Sequence, residues 1–218
     1  MLHNSIIKKI YFTALIILIN LSLTSAQDIK DIQLPQPQTE IGKPVMQALL
    51  LRSSSRNFDS KPLPLQEISN LLWAAIGINR TESGKRTAPS AKNAQDVDVY
   101  VVMQEGIYLY DAKTHSLNLI TAGDLRQYAG TQNFVKTAPI NLIYVSDLSK
   151  LGNPDSDDTK IYSAADCAFA AQNVYLYCAS QNLATVVRGS IDRTKLAEIL
   201  NLKENQKVIL AQTVGYEK

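Results

Sequence analysis

Residues 161–181 constrain the fold of this chain more than any other segment. The stretch holds no Gly or Pro and is rich in Ala, so nothing in it interrupts a helix. Its apolar residues spread around much of the helical circumference, which predicts a helix covered on more than one side. Asn182 follows, a residue that tolerates the left-handed conformation on which helices stop. Strand-like segments flank this helix. Residues 97–103 are β-rich, Gln104-Glu105-Gly106 supplies a turn, and residues 107–110 return, which predicts a hairpin. Residues 116–120 extend the meander, and residues 139–145, 184–187 and 207–215 read as further strands. Shorter helices are expected after Pro44 and behind the N-cap Asp192. A third is expected from Leu65 to Ile76, where apolar residues recur at helical spacing before Gly77. Residues 122–138 read as short helical pieces, and residues 79–92 and 148–160 as polar loops. The order of elements predicts an α+β domain over residues 44–218, with helices packed on an antiparallel or mixed sheet. Residues 27–43, polar and carrying Pro35 and Pro37, read as a lead-in arm.

The first 26 residues have the layout of a secretory signal peptide. Lys8 and Lys9 precede an apolar run, and Thr24-Ser25-Ala26 places small residues before a cut after Ala26. An uncleaved membrane anchor is the alternative, but the run is shorter than the roughly 20 residues a spanning helix needs. The expectation is an exported, periplasmic protein with no stable membrane span after cleavage. Without Lys8 and Lys9 the 22 basic residues become 20 and match the 20 acidic ones. A neutral chain with no basic run gives no support for nucleic-acid binding.

Export permits disulfides, and the chain has two cysteines, Cys167 and Cys178. Both fall in the long helix, where eleven positions correspond to roughly 16 Å of rise. A disulfide needs Cα atoms within roughly 7 Å, so two buried thiols are expected instead. Of the two histidines, His3 lies in the signal segment and His115 in a polar turn. No Cys-x-x-Cys, nucleotide-phosphate loop or nucleophile elbow occurs in the sequence. A chain so poor in protein nucleophiles either binds something or borrows its chemistry from a cofactor.

Three segments could serve a cofactor. Arg52-Ser53-Ser54-Ser55-Arg56 sets two guanidiniums four positions apart with hydroxyls between them, a donor set that suits phosphate oxygens. A solvated turn after a helix has the same composition. Arg86-Thr87-Ala88-Pro89-Ser90-Ala91-Lys92-Asn93-Ala94-Gln95 is a run of small residues that lets backbone approach a flat ring, with Asn93 and Gln95 able to bond its edge. An ordinary polar loop reads the same way. Val187-Arg188-Gly189-Ser190 offers backbone N–H groups beside a Gly, or merely a turn between strand and helix.

Taken in order, these segments resemble the nitroreductase family of FMN enzymes. The resemblance runs through the Arg-Ser-Ser-Ser-Arg segment, Leu71-Leu72-Trp73-Ala74-Ala75, Pro89-Ser90-Ala91-Lys92-Asn93-Ala94-Gln95, the long helix, Arg188-Gly189 and the closing strand. Within the family, the Leu-Leu-Trp-Ala-Ala-x-Gly stretch and Tyr108-Leu109-Tyr110-Asp111 are similar to the SagB-type peptide dehydrogenases. The resemblance implies a three-layer α-β-α sandwich with a mainly antiparallel sheet, and a homodimer with two FMN molecules at its interface. It implies phosphate contacts from Arg52, Ser54 and Arg56, with Ser53 alongside. Pro89, Ser90, Ala91 and Asn93 of the second subunit would line the isoalloxazine, and the backbone of Arg188 and Gly189 would face flavin N5. Many relatives carry an acidic residue at the position of Arg188, so a cation there is expected to favour negative charge on the reduced cofactor or an acidic substrate. Many also return a basic residue to the phosphate from a longer C-terminus, a role that falls here to Lys218. The implied activity is ping-pong hydride transfer to or from a small organic substrate such as a nitro compound, a quinone or an unsaturated bond. NAD(P)H is the family's donor, although an exported enzyme has little access to it. A flavin-binding module or redox-partner subunit without turnover is the alternative.

Overall fold

In the computed structural model, residues 30–218 are described; the proposed signal segment, His3 included, lies outside them. Among the described residues, nine strands and four α-helices alternate with short 3-10 turns. The strands are β1 Ile32–Gln33, β2 Ile78–Arg80, β3 Lys85–Arg86, β4 Val97–Val102, β5 Gly106–Asp111, β6 Ser116–Ala122, β7 Ile140–Asp147, β8 Ala184–Arg188 and β9 Gln206–Gly215. The helices are α1 Val45–Leu51, α2 Leu65–Ile76, α3 Asp157–Gln181 and α4 Arg193–Ile199. Seven strands form one sheet in the order β1-β6-β5-β4-β7-β9-β8, and every pairing in it is antiparallel. The fold is therefore α+β, as the order of elements predicts.

Alternation along the strands divides the core into two. One face carries Val99, Val101, Leu142, Tyr144 and Val214, covered by α2 and α3 through Leu71, Leu72, Ala170, Ala171 and Val174. The other carries Tyr100, Val102, Ile143, Val145 and Ala211, covered by α4 through Leu196 and by Ala129 and Val135 of the short helical pieces. Helices, sheet and a thinner helical layer thus make three layers. Helix α3 lies against β4, β7, β8 and β9 and also packs on α1 and α2. Cys167 and Cys178 are buried, unpaired thiols on its inner side.

Several boundaries differ from the sequence reading, each for a local reason. Helix α3 begins at Asp157 rather than at residue 161, because Ser156 caps it by accepting from Thr159 N–H and two aspartates favour the first turn. Its stop is as expected, with Asn182 at φ 58°. Residues 79–92 are not wholly loop, since β2 and β3 pair across a turn that Gly84 closes at φ 64°. The arm is not loose over residues 30–43. Strand β1 pairs with β6, Leu34 is buried, and Gln38 N–H donates to Asn70 Oδ1. His115 ties this arm down: Nε2 meets Ser69 Oγ at 2.7 Å and the Pro35 carbonyl at 3.0 Å, while Nδ1 meets the Tyr110 hydroxyl at 2.9 Å. Ser69 is fully buried and donates to the same Pro35 carbonyl, so this contact fastens the chain rather than arming a nucleophile.

Trp73 and Gly77 explain much of the Leu-Leu-Trp-Ala-Ala-x-Gly stretch by packing. A Cβ on Gly77 would lie 2.4 Å from the Trp73 ring, whose Nε1 donates to the Ile78 carbonyl. Any larger residue at position 77 would drive the indole out of place.

Candidate cofactor site

The 52–56 segment leaves the end of α1 and runs beside the open edge of the sheet. Arg52 caps α1 with its N–H on the Ala48 carbonyl. Ser55 N–H then donates to the carbonyl of Thr185, so the loop is laid along β8 as an irregular extra strand. Further on, Phe58 bridges Glu217, and Lys218 N–H donates to the Asn57 carbonyl at 3.2 Å while Asn57 Nδ2 returns a bond to Lys218 O. Ser53, Ser54, Arg56 and Lys218 are exposed and Arg52 is half-buried. Ser55 Oγ is engaged by Glu217, which brings one carboxylate to the rim of this cationic edge.

Tyr175, which the sequence reading passes over, organises this corner. It projects from α3, and its hydroxyl meets Ser54 Oγ at 2.8 Å and accepts from Val187 N–H at 2.9 Å. The Arg52 guanidinium stands 5.3 Å from its ring centroid, a cation–π contact. One side chain thereby fixes the 52–56 loop to the last residues of β8, immediately before Arg188-Gly189. Tyr175 is one of three tyrosines in this helix and carries no motif, but it lies three positions after Gln172 of the Ala-Gln-Asn stretch and so shares its helix with the resemblance.

At Arg188 the side chain and the backbone part company. The guanidinium does not face the 52–56 edge. It is 5% exposed and points through the sheet to the opposite layer, donating to the Ala129 carbonyl at 2.9 Å and to Asn141 Oδ1 at 3.1 Å, with Phe134 beside it. Burial pulls it down to about 10, still protonated at neutral pH. Gly130 makes room for it, since a Cβ there would lie 1.8 Å from Arg188 Nη1. The expected electrostatic effect of this cation on the reduced cofactor or on an acidic substrate is therefore corrected: the charge is used inside the fold. Gly189 has nothing within 4 Å of the position a Cβ would take, so the surface beside its backbone is open.

The 89–93 loop is built differently. Lys92, Asn93 and Gln95 all lie in the left-handed region, at φ 55°, 55° and 49°, which residues with a Cβ avoid. The turn is held from three directions. Ser90 Oγ accepts from Gln95 N–H at 2.9 Å, Gln95 Nε2 donates to the Gly84 carbonyl, and Ala91 N–H donates to both carboxyl oxygens of Asp166 at 3.1 and 2.8 Å. Pro89, Lys92 and Asn93 are exposed, while Ser90 and Ala91 are half-buried.

Within one chain these regions do not meet. Ser54 is held by Tyr175 and Ala91 by Asp166, nine positions apart on α3. Nine positions are two and a half turns, which puts the two anchors on opposite sides of the helix and about 14 Å apart along it. Arg52, Ser53, Ser54, Arg56, Lys218, Arg188 and Gly189 gather at the β8 edge; Pro89, Ser90, Ala91 and Asn93 gather on the far side.

The chain matches the model of the nitroreductase family over residues 49–216. A protein of Methanocaldococcus jannaschii designated a nitroreductase is 34% identical over 187 residues, which cover 81% of this chain and 92% of that one. A crystal structure from Ralstonia eutropha, likewise designated a nitroreductase, superposes with a TM-score of 0.83 at 43% identity, over 88% of this chain and 92% of the other. The NADPH:FMN oxidoreductase of Vibrio harveyi, solved with NAD+, has a TM-score of 0.58 at 22% identity over 80% of this chain and 69% of its own, a likeness of fold alone.

Proposed function

Because the chain belongs to the nitroreductase family, we propose that it is an exported FMN-dependent oxidoreductase that works as a homodimer. The observation that carries this reading is the donor set at the β8 edge. Ser53 and Arg56 are exposed, the half-buried Arg52 guanidinium lies over the Tyr175 ring beside them, and Tyr175 holds the same loop through Ser54 against the strand that leads to Gly189. Such a set fits a phosphate, and the open space beside Gly189 fits a flat ring brought up to backbone. FMN, when bound, would supply two-electron hydride chemistry that no side chain of this chain offers. Arg52 and Arg56 would bind the phosphate, Lys218 would add a cation from the closing segment, and the backbone at Arg188-Gly189 would face the reacting edge.

The second subunit enters through two observations. The 89–93 loop lies on the wrong side of α3 to reach the 52–56 loop of its own chain, so a site using both needs two copies. Helix α1 buries only Ala48 and leaves Met46 73% and Leu50 84% exposed, and α3 exposes Ile161, Tyr162 and Phe169. Apolar side chains exposed in this number mark surfaces that a second copy can cover. Pro89, Ser90, Ala91 and Asn93 of one copy would then line the ring held by the other.

The substrate is proposed to be a small organic acceptor or donor: a nitro compound, a quinone or an unsaturated bond. In an exported enzyme the electron donor need not be NAD(P)H. Tyr108-Leu109-Tyr110-Asp111 and the Trp73–Gly77 stretch favour the branch that includes the SagB-type dehydrogenases. Purified protein tests the reading by colour. A yellow protein that dithionite or NADPH bleaches and nitrofurazone reoxidises supports the enzyme; a yellow protein inert to every acceptor supports a carrier or redox-partner module; a protein with no FMN affinity sinks both.

A further inference from the structure

The large sheet comes apart at one end between two of its middle strands. β4 and β5 pair only through Tyr100–Val102 and Ile107–Leu109. Continued pairing would set Val99 opposite Tyr110 and Asp98 opposite Asp111. Instead Val97, Asp98 and Val99 stay with β7, while Tyr110 and Asp111 stay with β6. Arg86 of β3 reaches into this split. The Asp96 carbonyl accepts from Asp147 N–H on the β7 side, so the next carbonyl, that of Val97, turns towards β5. In place of a strand N–H it takes Arg86 Nη1 at 2.8 Å. A cavity of about 830 Å³ opens here, between the β2–β3 hairpin, the arm at Gln36 and Pro37, and the turn after β5. That volume is ample for a small molecule.

Two opposite charges line the cavity without being satisfied by the fold. Asp98 is the acid that acts most strongly on Arg86, yet among the described residues the two form no ion pair and Asp98 accepts no hydrogen bond. Lys150, whose charge acts most on Asp98, donates to the Gln95 carbonyl instead. Arg86 Nε is buried and meets no acceptor. Burial accordingly lowers Arg86 and raises Asp98 from their ordinary values. Half-buried charges left this way are costly unless something else compensates them. The other ionic and polar groups of the wall are already used: Asp111 accepts Lys113 N–H within its own turn, and the Tyr110 hydroxyl meets His115. Trp73, Ile78 and Leu109 supply apolar lining. The walls are braced, since Arg80 Nη2 donates to the Arg86 carbonyl at 2.5 Å, Gln95 Nε2 to the Gly84 carbonyl at 3.0 Å, and Trp73 Nε1 to the Ile78 carbonyl at 3.2 Å.

We propose that this split is a second ligand site, separate from the β8 edge, which takes a small zwitterion with an apolar body, the chemistry of a free amino acid with a large apolar side chain. The ligand carboxylate would lie against the Arg86 guanidinium, its ammonium against the Asp98 carboxylate, and its side chain against Trp73 and Leu109. One molecule then answers both unsatisfied charges, which a carboxylate or an amine alone does not. A cation beside Asp98 also favours the charged form of that acid. Arg86 stands three positions before Pro89, and Gln95, whose N–H bonds Ser90 Oγ, lines the same cavity, so the site adjoins the 89–93 loop.

The test is titration of FMN-free protein with L-phenylalanine, read by calorimetry and by the emission of Trp73, the single Trp of the chain. Without FMN present, the outcome does not depend on the cofactor reading. L-Phenylalanine should bind saturably and change the Trp73 emission. Hydrocinnamate, which lacks the ammonium, and phenethylamine, which lacks the carboxylate, should each bind about tenfold or more weakly, since each loses a charge-assisted contact. Asp98→Asn removes no hydrogen bond of the fold; it should weaken L-phenylalanine by about tenfold or more and leave hydrocinnamate unchanged. Arg86→Gln should weaken L-phenylalanine and hydrocinnamate and leave phenethylamine unchanged; if that variant does not fold, Asp98→Asn decides alone. The proposal is overturned by no saturable binding of L-phenylalanine up to on the order of 10 mM. It is overturned equally by hydrocinnamate or phenethylamine binding as tightly as L-phenylalanine, or by an Asp98→Asn protein that binds L-phenylalanine like the wild type.

Discussion

The 52–56 and 89–93 loops hang on opposite sides of the same helix and are held in opposite ways. The first is laid along a strand edge by one backbone bond to Thr185, pinned by the Tyr175 hydroxyl, and turns Arg56 to solvent with Arg52 half-buried over the Tyr175 ring. The second folds into strained left-handed turns and is tied inward to a buried acid. The difference separates gripping from shaping. A phosphate is a point of charge that exposed guanidiniums can gather, so its loop needs little rigidity of its own. A ring needs a surface already in shape, because ordering a loop on binding costs affinity.

The contrast can be broken in several ways, from strong to weak. Arg52→Ala combined with Arg56→Ala should give folded protein that is almost free of FMN. Each charge-assisted contact is worth about 1.5–3 kcal/mol, so affinity should drop by two to four orders of magnitude, on the order of 3–6 kcal/mol in a fluorescence titration. Full occupancy in the double variant would place the phosphate elsewhere. Arg188→Ala should act on the fold instead. It strips donors from the Ala129 carbonyl and Asn141 and leaves a cavity, for a loss of about 3 kcal/mol in denaturant unfolding. If stability holds and only the flavin potential moves, the guanidinium faces the cofactor after all.

Leu50→Asp is expected to leave the isolated fold intact, since the side chain is 84% exposed, and to shift sedimentation from dimer to monomer with loss of FMN. A monomeric variant that still binds FMN at full strength would show that one chain makes the whole site. Tyr175→Phe removes the hydroxyl that joins Ser54 to Val187 and should cost about 1 kcal/mol in stability, with FMN affinity down several-fold. Glu217→Gln sits at the small end. Removing an exposed carboxylate from the rim should tighten FMN by roughly 0.3–0.5 kcal/mol at low salt and by less at high salt.

Much of this was legible before any coordinate. The Ala-rich run without Gly or Pro is α3, and Asn182 ends it in the left-handed conformation. Alternation in residues 97–110 gives the β4–β5 hairpin with its turn where Gly106 stands. Polar composition concealed two things. Ser156-Asp157-Asp158-Thr159 has the marks of a helix start but reads as loop because nothing apolar accompanies it. Strands β2 and β3 are three and two residues long, too short for alternation to show.

At the candidate site, residue types marked the proposed phosphate donors but not what positions them. Tyr175 is one Tyr among ten and acquires meaning only when the sheet edge lies beside it. Arg188 misleads because a cation next to Gly looks exposed. Strand alternation sends its side chain to the face opposite Val187, and Gly130, far away in sequence, makes the space it fills. Ala91 and Asp166, 75 positions apart, carry no shared motif.

The central claim is that one FMN site is assembled from the β8 edge of one chain and the 89–93 loop of another. Mixing two defective proteins tests it most directly: the Arg52→Ala, Arg56→Ala protein, whose 89–93 loop is intact, and an Asp166→Ala protein, whose 52–56 loop is intact. Each alone should bind FMN poorly. After subunit exchange, the mixed dimer should regain one tight site per two chains. No recovery of FMN binding in dimers shown by mass to be mixed would contradict the account.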